Sequence, residues 1–294
     1  MAKKTGSMPS RTPTSVTVPT AQRRLSSLRN DIETFLTKWK DRVFYNERDL
    51  QINLAIWLKR NCWDVDVEYF VPREAFDISQ PLLPYKYVWD NDMKLDIVVN
   101  IENLFYIIEL KYKTKAIDTE ICRFNENMKV SPLKDQSAKD IACYEFWKDV
   151  RRIELVKSRF NNVVGGFAIF ISNDNSYMNQ PAKRTPVVNY LKFSMEDGIM
   201  HGIDKFWIRP AKINNNNPFN CSNMGKNKYP NFQLSACYQT DWREMKDLNA
   251  NNDNYCFHYC IVELPISLKR NCDWGNRYWI RKREKIDFSD NTNI

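Results

Sequence analysis

Two apolar runs, three residues apart, each carry charges that a buried strand does not ordinarily tolerate. The first is Lys94-Leu95-Asp96-Ile97-Val98-Val99-Asn100, and the second is Leu104-Phe105-Tyr106-Ile107-Ile108-Glu109-Leu110-Lys111-Tyr112. Both are rich in β-branched and aromatic residues, and only Ile101, Glu102 and Asn103 separate them, which predicts a tight hairpin. With Glu102 and Asn103 as a two-residue loop, position 100 pairs with 105, 98 with 107 and 96 with 109. Side chains alternate across a strand, so this register sends Asp96, Glu109 and Lys111 out of one face. Two opposed carboxylates in an apolar sheet repel each other and lose hydration unless a cation joins them. The pattern therefore predicts a site for a divalent metal.

Mg2+ takes hard oxygen ligands in near-octahedral geometry and keeps several waters. Asp96, Glu109 and the carbonyl of Leu110 can supply three protein oxygens. Lys111 lies one strand period beyond Glu109, where a compact ammonium can orient a nucleophilic water and offset charge on a phosphate. Upstream, residues 46 to 60 carry a helical stripe of Leu50, Leu54 and Trp57, and Glu47 and Gln51 stand at i and i+4 beside it. Both side chains can point toward the same site.

The order is thus a helix with Glu47, a strand over residues 65 to 71, a strand with Asp96, a strand with Glu109-Leu110-Lys111, and a further helix. In this order and these residues the chain resembles the PD-(D/E)XK nuclease superfamily, over residues 31 to 172. Leu95 stands where the family name has Pro, a residue that distant members often lack. The resemblance implies a restriction-endonuclease-like central mixed β-sheet flanked by helices. It also implies a phosphodiesterase site in which Asp96, Glu109 and Glu47 hold Mg2+ (or Mn2+ as a substitute) and Lys111 positions the water. The expected product ends are a 5′-phosphate and a 3′-hydroxyl.

Residues 135 to 160 read as a helix with imperfect apolar periodicity. In the family such a helix crosses the sheet, which makes Gln136, Lys139 and Asp140 candidates for supporting contacts, although first-turn polar residues are often simply solvated. Lys113, Arg151 and Arg152 are the candidate contacts to nucleic acid. The apolar run from Val163 to Ser172 reads as a strand buried on both faces, reached by a crossover and parallel to a central neighbour. The fold class is α/β.

The chain of 294 residues is 43% hydrophobic and can bury a large core. Residues 1 to 24 are rich in Ser, Thr, Pro and basic groups and are expected as a disordered basic tail. Residues 25 to 174 form the nuclease-like core, and residues 175 to 294 a β-rich extension that completes the sheet or contacts substrate. Within the extension, residues 195 to 202 read as a hairpin, and 206 to 208, 232 to 238 and 255 to 265 as strands. No apolar run reaches the roughly 18 residues of a membrane span, so no membrane partner is expected. The formal charge of +8 comes largely from six basic residues in the first 30; the rest carries 38 basic against 36 acidic residues. Charge alone does not establish nucleic-acid binding.

Eight dispersed cysteines without a Cys-x2-Cys pair point to reduced thiols and a cytoplasmic setting. Cys256, His258 and Cys260 alternate on one strand face, which suits a buried face of small thiols more simply than zinc. With only His201 and His258, a multi-histidine metal site is excluded. The reading is a Mg2+-dependent nuclease acting on DNA. Paired cuts on a duplex would favour a homodimer. The alternative is a catalytically inactive PD-(D/E)XK-fold module that binds nucleic acid or a protein.

Overall fold

The acid-bearing hairpin forms with its expected turn. In the computed structural model, strands β2 (Met93–Ile101) and β3 (Leu104–Lys113) pair Asn100 with Phe105 and Val98 with Ile107. Glu102 and Asn103 make the turn at φ +51° and +66°, the left-handed pair that a two-residue loop needs to match the strand twist. The structure describes residues 18–38, 43–76, 89, 91–136, 138–179, 189–208, 224–225, 229–248 and 255–266.

Helices α1 (Val18–Lys38) and α2 (Glu47–Arg60) precede β1 (Asp64–Val71), which adds to β2 in antiparallel fashion. After β3 come a ribbon of β4 (Ile117–Arg123) and β5 (Glu126–Leu133), then α3 (Lys139–Arg159) and β6 (Val163–Ser172). β6 returns parallel to β3, as a strand–helix–strand crossover requires, and all ten of its residues are buried. The short strands β7 (Ile199–His201), β8 (Asp204–Lys205), β9 (Met224–Gly225), β10 (Tyr229–Pro230), β11 (Phe232–Gln233) and β12 (Tyr238–Thr240) form small pairs outside the main sheet. β13 (Trp242–Asp247) and β14 (Cys256–Leu264) rejoin it. The result is a mixed six-stranded sheet in the order β1-β2-β3-β6-β14-β13, in which only β3 and β6 run parallel.

Two cores flank this sheet. On one face Ile97, Val99, Tyr106 and Ile108 pack with α1 and α2; on the other, Val98 and Ile107 pack with α3 and with the aromatic residues Phe193, Trp207 and Phe232 of the C-terminal part. α1 corrects the sequence expectation of a disordered tail to residue 24. Ala21, Leu25, Leu28, Ile32 and Phe35 recur at spacings of three and four and are fully buried, so the helix holds from Val18 despite its basic composition. Arg24 pairs with Glu102, and Arg29 with Glu33 and Glu263, so these cations are tied to the folded domain.

Two further expectations are revised, and one element is new. Residues 195 to 202 do not fold back on themselves: β7 pairs instead with β12, beside a turn where Gly198 takes φ +70°. The stretch 232 to 238 is broken into β11 and the start of β12, each with a different partner. The β4–β5 ribbon has no counterpart in the sequence reading. It turns at Phe124 and Asn125 with φ +52° and +68°. A left-handed backbone costs a side-chain-bearing residue about 1–2 kcal/mol, and Phe is an unusual choice there.

Gly166 lets β6 approach both β3 and α3. A Cβ added there would lie 2.4 Å from the Ile107 carbonyl oxygen and 3.1 Å from Cγ2 of Ile153. The carbonyl is main chain inside the sheet and cannot move aside cheaply. Gly166→Ala is therefore expected to destabilise the protein by about 3 kcal/mol or more. A fall in the urea midpoint would register it, and a midpoint equal to wild type would refute this account of the packing.

Candidate active site

The sheet opens at Asp96. The β2–β3 ladder stops at Ile97 opposite Ile108, so the main-chain pairing of 96 with 109 expected from sequence is not made. On the other side β1 pairs Val67 with Ile97 and Tyr69 with Leu95, and leaves Glu68, at φ +53°, outside the ladder. Leu95 and Val98 both pack on the α3 side, so the alternation of β2 slips by one residue at Asp96. Side chains take over the bonds that neighbouring strands would have made. The Asp96 N–H donates to Glu109 Oε2 at 3.2 Å, and the Asp96 carbonyl accepts from Gln51 Nε2 at 2.7 Å. The Leu110 N–H donates to Asp96 Oδ2 at 2.7 Å.

Glu47 arrives from α2. Asn46 caps that helix by accepting from the Asp49 N–H at 2.8 Å, and the Tyr45 N–H donates back to Asp49 Oδ2 at 3.1 Å. This reciprocal cap sets Glu47 at the first helical position, where its Oε2 accepts from the Tyr112 N–H at 2.9 Å. Its Oε1 lies 3.7 Å from Lys111 Nζ. Gln51, one turn on, is buried and also donates to Glu68 Oε1 at 3.0 Å. Glu47, Gln51, Asp96, Glu109 and Lys111 are thus brought together.

α3 supplies what the sequence reading missed. Asp149 Oδ2 stands 3.3 Å from Lys111 Nζ, and Asp149 Oδ1 stands 3.1 Å from Arg152 Nη1. Arg152 Nη1 also lies 3.4 Å from Glu109 Oε1, and Nη2 donates to the Lys94 carbonyl. Glu145, Asp149 and Arg152 recur at i, i+4 and i+7, a charged stripe facing Lys111 and Glu109 along the antiparallel course of β3. That spacing was readable in the sequence, but it looks the same as a solvated helix face.

Several expected contacts lie elsewhere. Arg151 does not face nucleic acid: it is buried, and its Nη1 pairs with Glu154 at 2.8 Å, while Glu154 accepts from the Ser235 N–H and the Tyr238 hydroxyl. Arg152 is drawn into the carboxylate cluster and is not a surface contact. Gln136 is exposed, with its N–H bonded to the Thr114 carbonyl. Lys139 donates to the Ser176 carbonyl and sits over the Tyr177 ring, ten residues and so about 15 Å along α3 from Asp149. Asp140 bonds locally within the first turn of α3, its Oδ1 accepting from the Ile141 N–H at 2.9 Å. Lys113 is half-buried on the face of Lys111, and burial and then that neighbouring ammonium lower its pKa.

The electrostatics of the cluster follow from its burial. Desolvation, and then Asp149, push the Asp96 carboxyl up to about 6, against the pull of the Leu110 N–H. Burial raises Glu109 well above the ordinary carboxylate range, with Arg152 opposing. Burial disfavours the Lys111 ammonium, yet Asp149, Glu47 and Asp96 outweigh it and hold the group charged. Among the described residues Glu109 Oε1 has the Arg152 ion pair but no hydrogen-bond donor. Four carboxyl groups (Glu47, Asp96, Glu109 and Asp149) face two cations (Lys111 and Arg152), too few to balance all four when ionised, and the raised Asp96 and Glu109 carboxyls reflect this.

These residues match a hard divalent cation in donor chemistry and in charge. Their spacing does not yet enclose one: among the described residues, no three acidic, histidine or cysteine groups are gathered for a metal ion. Cys256 Sγ lies 3.8 Å from His258 Nε2 on β14, and Cys260 is buried on the same strand. No protein-family model matches this chain, and no match is found among curated proteins or solved structures.

The raised Asp96 carboxyl has a consequence for stability. In metal-free protein the folded state keeps this proton up to about pH 6, whereas an unfolded chain loses it near 3.8. The folded state binds more protons inside that window, so stability falls as pH rises through it. Asp96→Asn retains an acceptor for the Leu110 N–H and removes the charge. In EDTA it is expected to exceed wild type by roughly 2–3 kcal/mol at pH 7.5, with the gap closing by pH 4. Urea midpoints at both pH values would show this, and a pH-independent gap would refute it.

Proposed function

We propose that the chain is a divalent-metal-dependent nuclease of the PD-(D/E)XK type, acting on DNA. One observation carries the reading: acids from α2, β2 and β3 converge with Lys111 at a break in the sheet, in a cluster whose charge its own cations do not balance. The succession of α2, the β1–β2–β3 meander, α3 and parallel β6 is the element order that this resemblance implies, and it supports a restriction-endonuclease-like core.

Asp96, Glu109 and Glu47 would hold Mg2+, which when bound supplies charge stabilisation at phosphate and a water of lowered pKa. The chain's own groups account for the remainder. Lys111, kept charged by Asp149 and Glu47, orients a water toward phosphorus and offsets negative charge as the phosphodiester is attacked. Gln51 and the Leu110 N–H hold Asp96 in place. Asp149 fixes both Lys111 and Arg152.

A second reading has a specific observation behind it. Arg152 already pairs with Glu109 and Asp149, as a built-in cation would in a fold that binds nucleic acid without cutting it. The two readings separate in a cleavage assay on plasmid, linear and single-stranded DNA with Mg2+ or Mn2+. Activity that needs the metal, and falls at least about 100-fold in Asp96→Asn, Glu109→Gln and Lys111→Ala with folding intact, supports the nuclease. Mg2+ should also raise the melting temperature of wild type and not of Asp96→Asn. DNA bound but never cut, by every variant, would favour the inactive module.

A further inference from the structure

The β4–β5 ribbon is built to present one aromatic ring. Its root is fixed: Ile117 and Leu133 are buried beneath the main sheet, and the Thr114 hydroxyl donates to the Lys134 carbonyl. The Ala116 N–H donates to Asp135 Oδ1, and Tyr255 bonds both the N–H and the carbonyl of Asp118. Beyond the root, Ile117 to Arg123 extends about 20 Å at the rise of a strand. Residues 124 to 129 are all exposed. At its tip Phe124 is 99% exposed with φ +52°. Folding gains nothing from a bulky apolar ring in a left-handed turn, where Asn or Gly would serve better. A feature that opposes folding at an exposed tip points to a ligand.

We propose that this ribbon is a nucleic-acid contact in which Phe124 stacks on a nucleobase. The inference rests on the nuclease reading and names a part of its substrate interface. Phe124 is flanked by Asn125, Glu126 and Asn127, and the other exposed apolar side chain near the tip is Met128; together they make too small a patch for the apolar centre of a protein interface, whereas stacking on one base needs one ring. The ribbon springs from the end of β3, the strand that carries Glu109 and Lys111; Lys113, Lys115, Lys129 and Lys134 along its path alternate with Asp118, Glu120, Glu126 and Asp135, so the contact rests on the ring and its position and not on net charge. A two-stranded ribbon is also narrow enough to enter a major groove, and an apolar side chain can wedge between base steps.

The test uses fluorescence anisotropy of fluorescein-labelled single-stranded and duplex oligonucleotides in EDTA, so that nothing is cleaved. Phe124→Asn suits the left-handed turn and should melt at or above the wild-type temperature. It is expected to bind roughly 5- to 100-fold more weakly, with Phe124→Trp restoring affinity. The ratio should persist as salt rises, because the substitution removes no charge. Quenching of a 2-aminopurine oligonucleotide by wild type and Phe124→Trp, and not by Phe124→Asn, would confirm stacking directly. Loss confined to single strands identifies an unpaired base, and loss on duplex identifies a wedge; either supports the contact. Equal affinity of Phe124→Asn and wild type overturns it in favour of a protein-contact role for the ring, and leaves the nuclease reading standing. Wild type that binds neither oligonucleotide overturns the contact, and the nuclease reading is then decided by the metal-dependent cleavage assay alone.

Discussion

The architecture around the site depends on the main-chain hydrogen bonds withdrawn at Asp96. A central strand normally spends its N–H and C=O groups on its neighbours, and leaving them unpaired in a dry interior is costly. Here the two ladders part, and the amide and carbonyl of Asp96 are satisfied by Glu109 and Gln51. The carboxylates are therefore structural members of the sheet as well as candidate ligands. Exchange of these bonds for metal bonds would alter the strand itself, which couples the chemistry of the site to the integrity of the sheet.

Charge balance extends that constraint outward. Lys111 is held by Glu47 from one helix and Asp149 from another, while Arg152 joins Asp149 to Glu109. Helices on opposite faces of the sheet thus meet through a single ammonium. One turn away, Arg151 and Glu154 perform a purely architectural task, fastening Ser235 and Tyr238 to α3. Lys205 is likewise buried, and among the described residues no carboxylate pairs with it; its Nζ lies 3.7 Å from the centre of the Trp147 ring and bonds the Lys192 carbonyl, and burial lowers its pKa to about 7. The polar groups of this interior are divided between those that carry the site and those that hold the C-terminal part to it.

What could be read from the sequence was local and periodic. The hairpin turn, the register to Ile97 and Ile108, the helix from Glu47 and the parallel return of β6 all follow from short-range patterns of apolar residues. The slip at Asp96 did not, because it depends on Glu109 and Gln51 replacing a strand, a tertiary arrangement with no periodic trace. Asp149 was hidden for a related reason: a charged stripe on a helix has the same spacing whether it meets water or Lys111. α1 was concealed by its basic residues, although its buried stripe was there to be counted. The β4–β5 ribbon turns on Phe-Asn, which lacks the glycine that usually marks such a turn.

The place of β14 in the sheet governs how the molecule can be assembled. β6 has β3 on one side and β14 on the other, yet Ser172 ends β6 and Cys256 begins its second neighbour. During synthesis a strand buried along its whole length thus emerges with one flank open, and stays so until the chain has been extended through the C-terminal part to β14. Pairing over that distance is slow, and an open apolar edge invites association with other chains. The late strands therefore act as a closing seam, and the rigidity that holds Glu109 and Lys111 on β3 is completed only when that seam is shut.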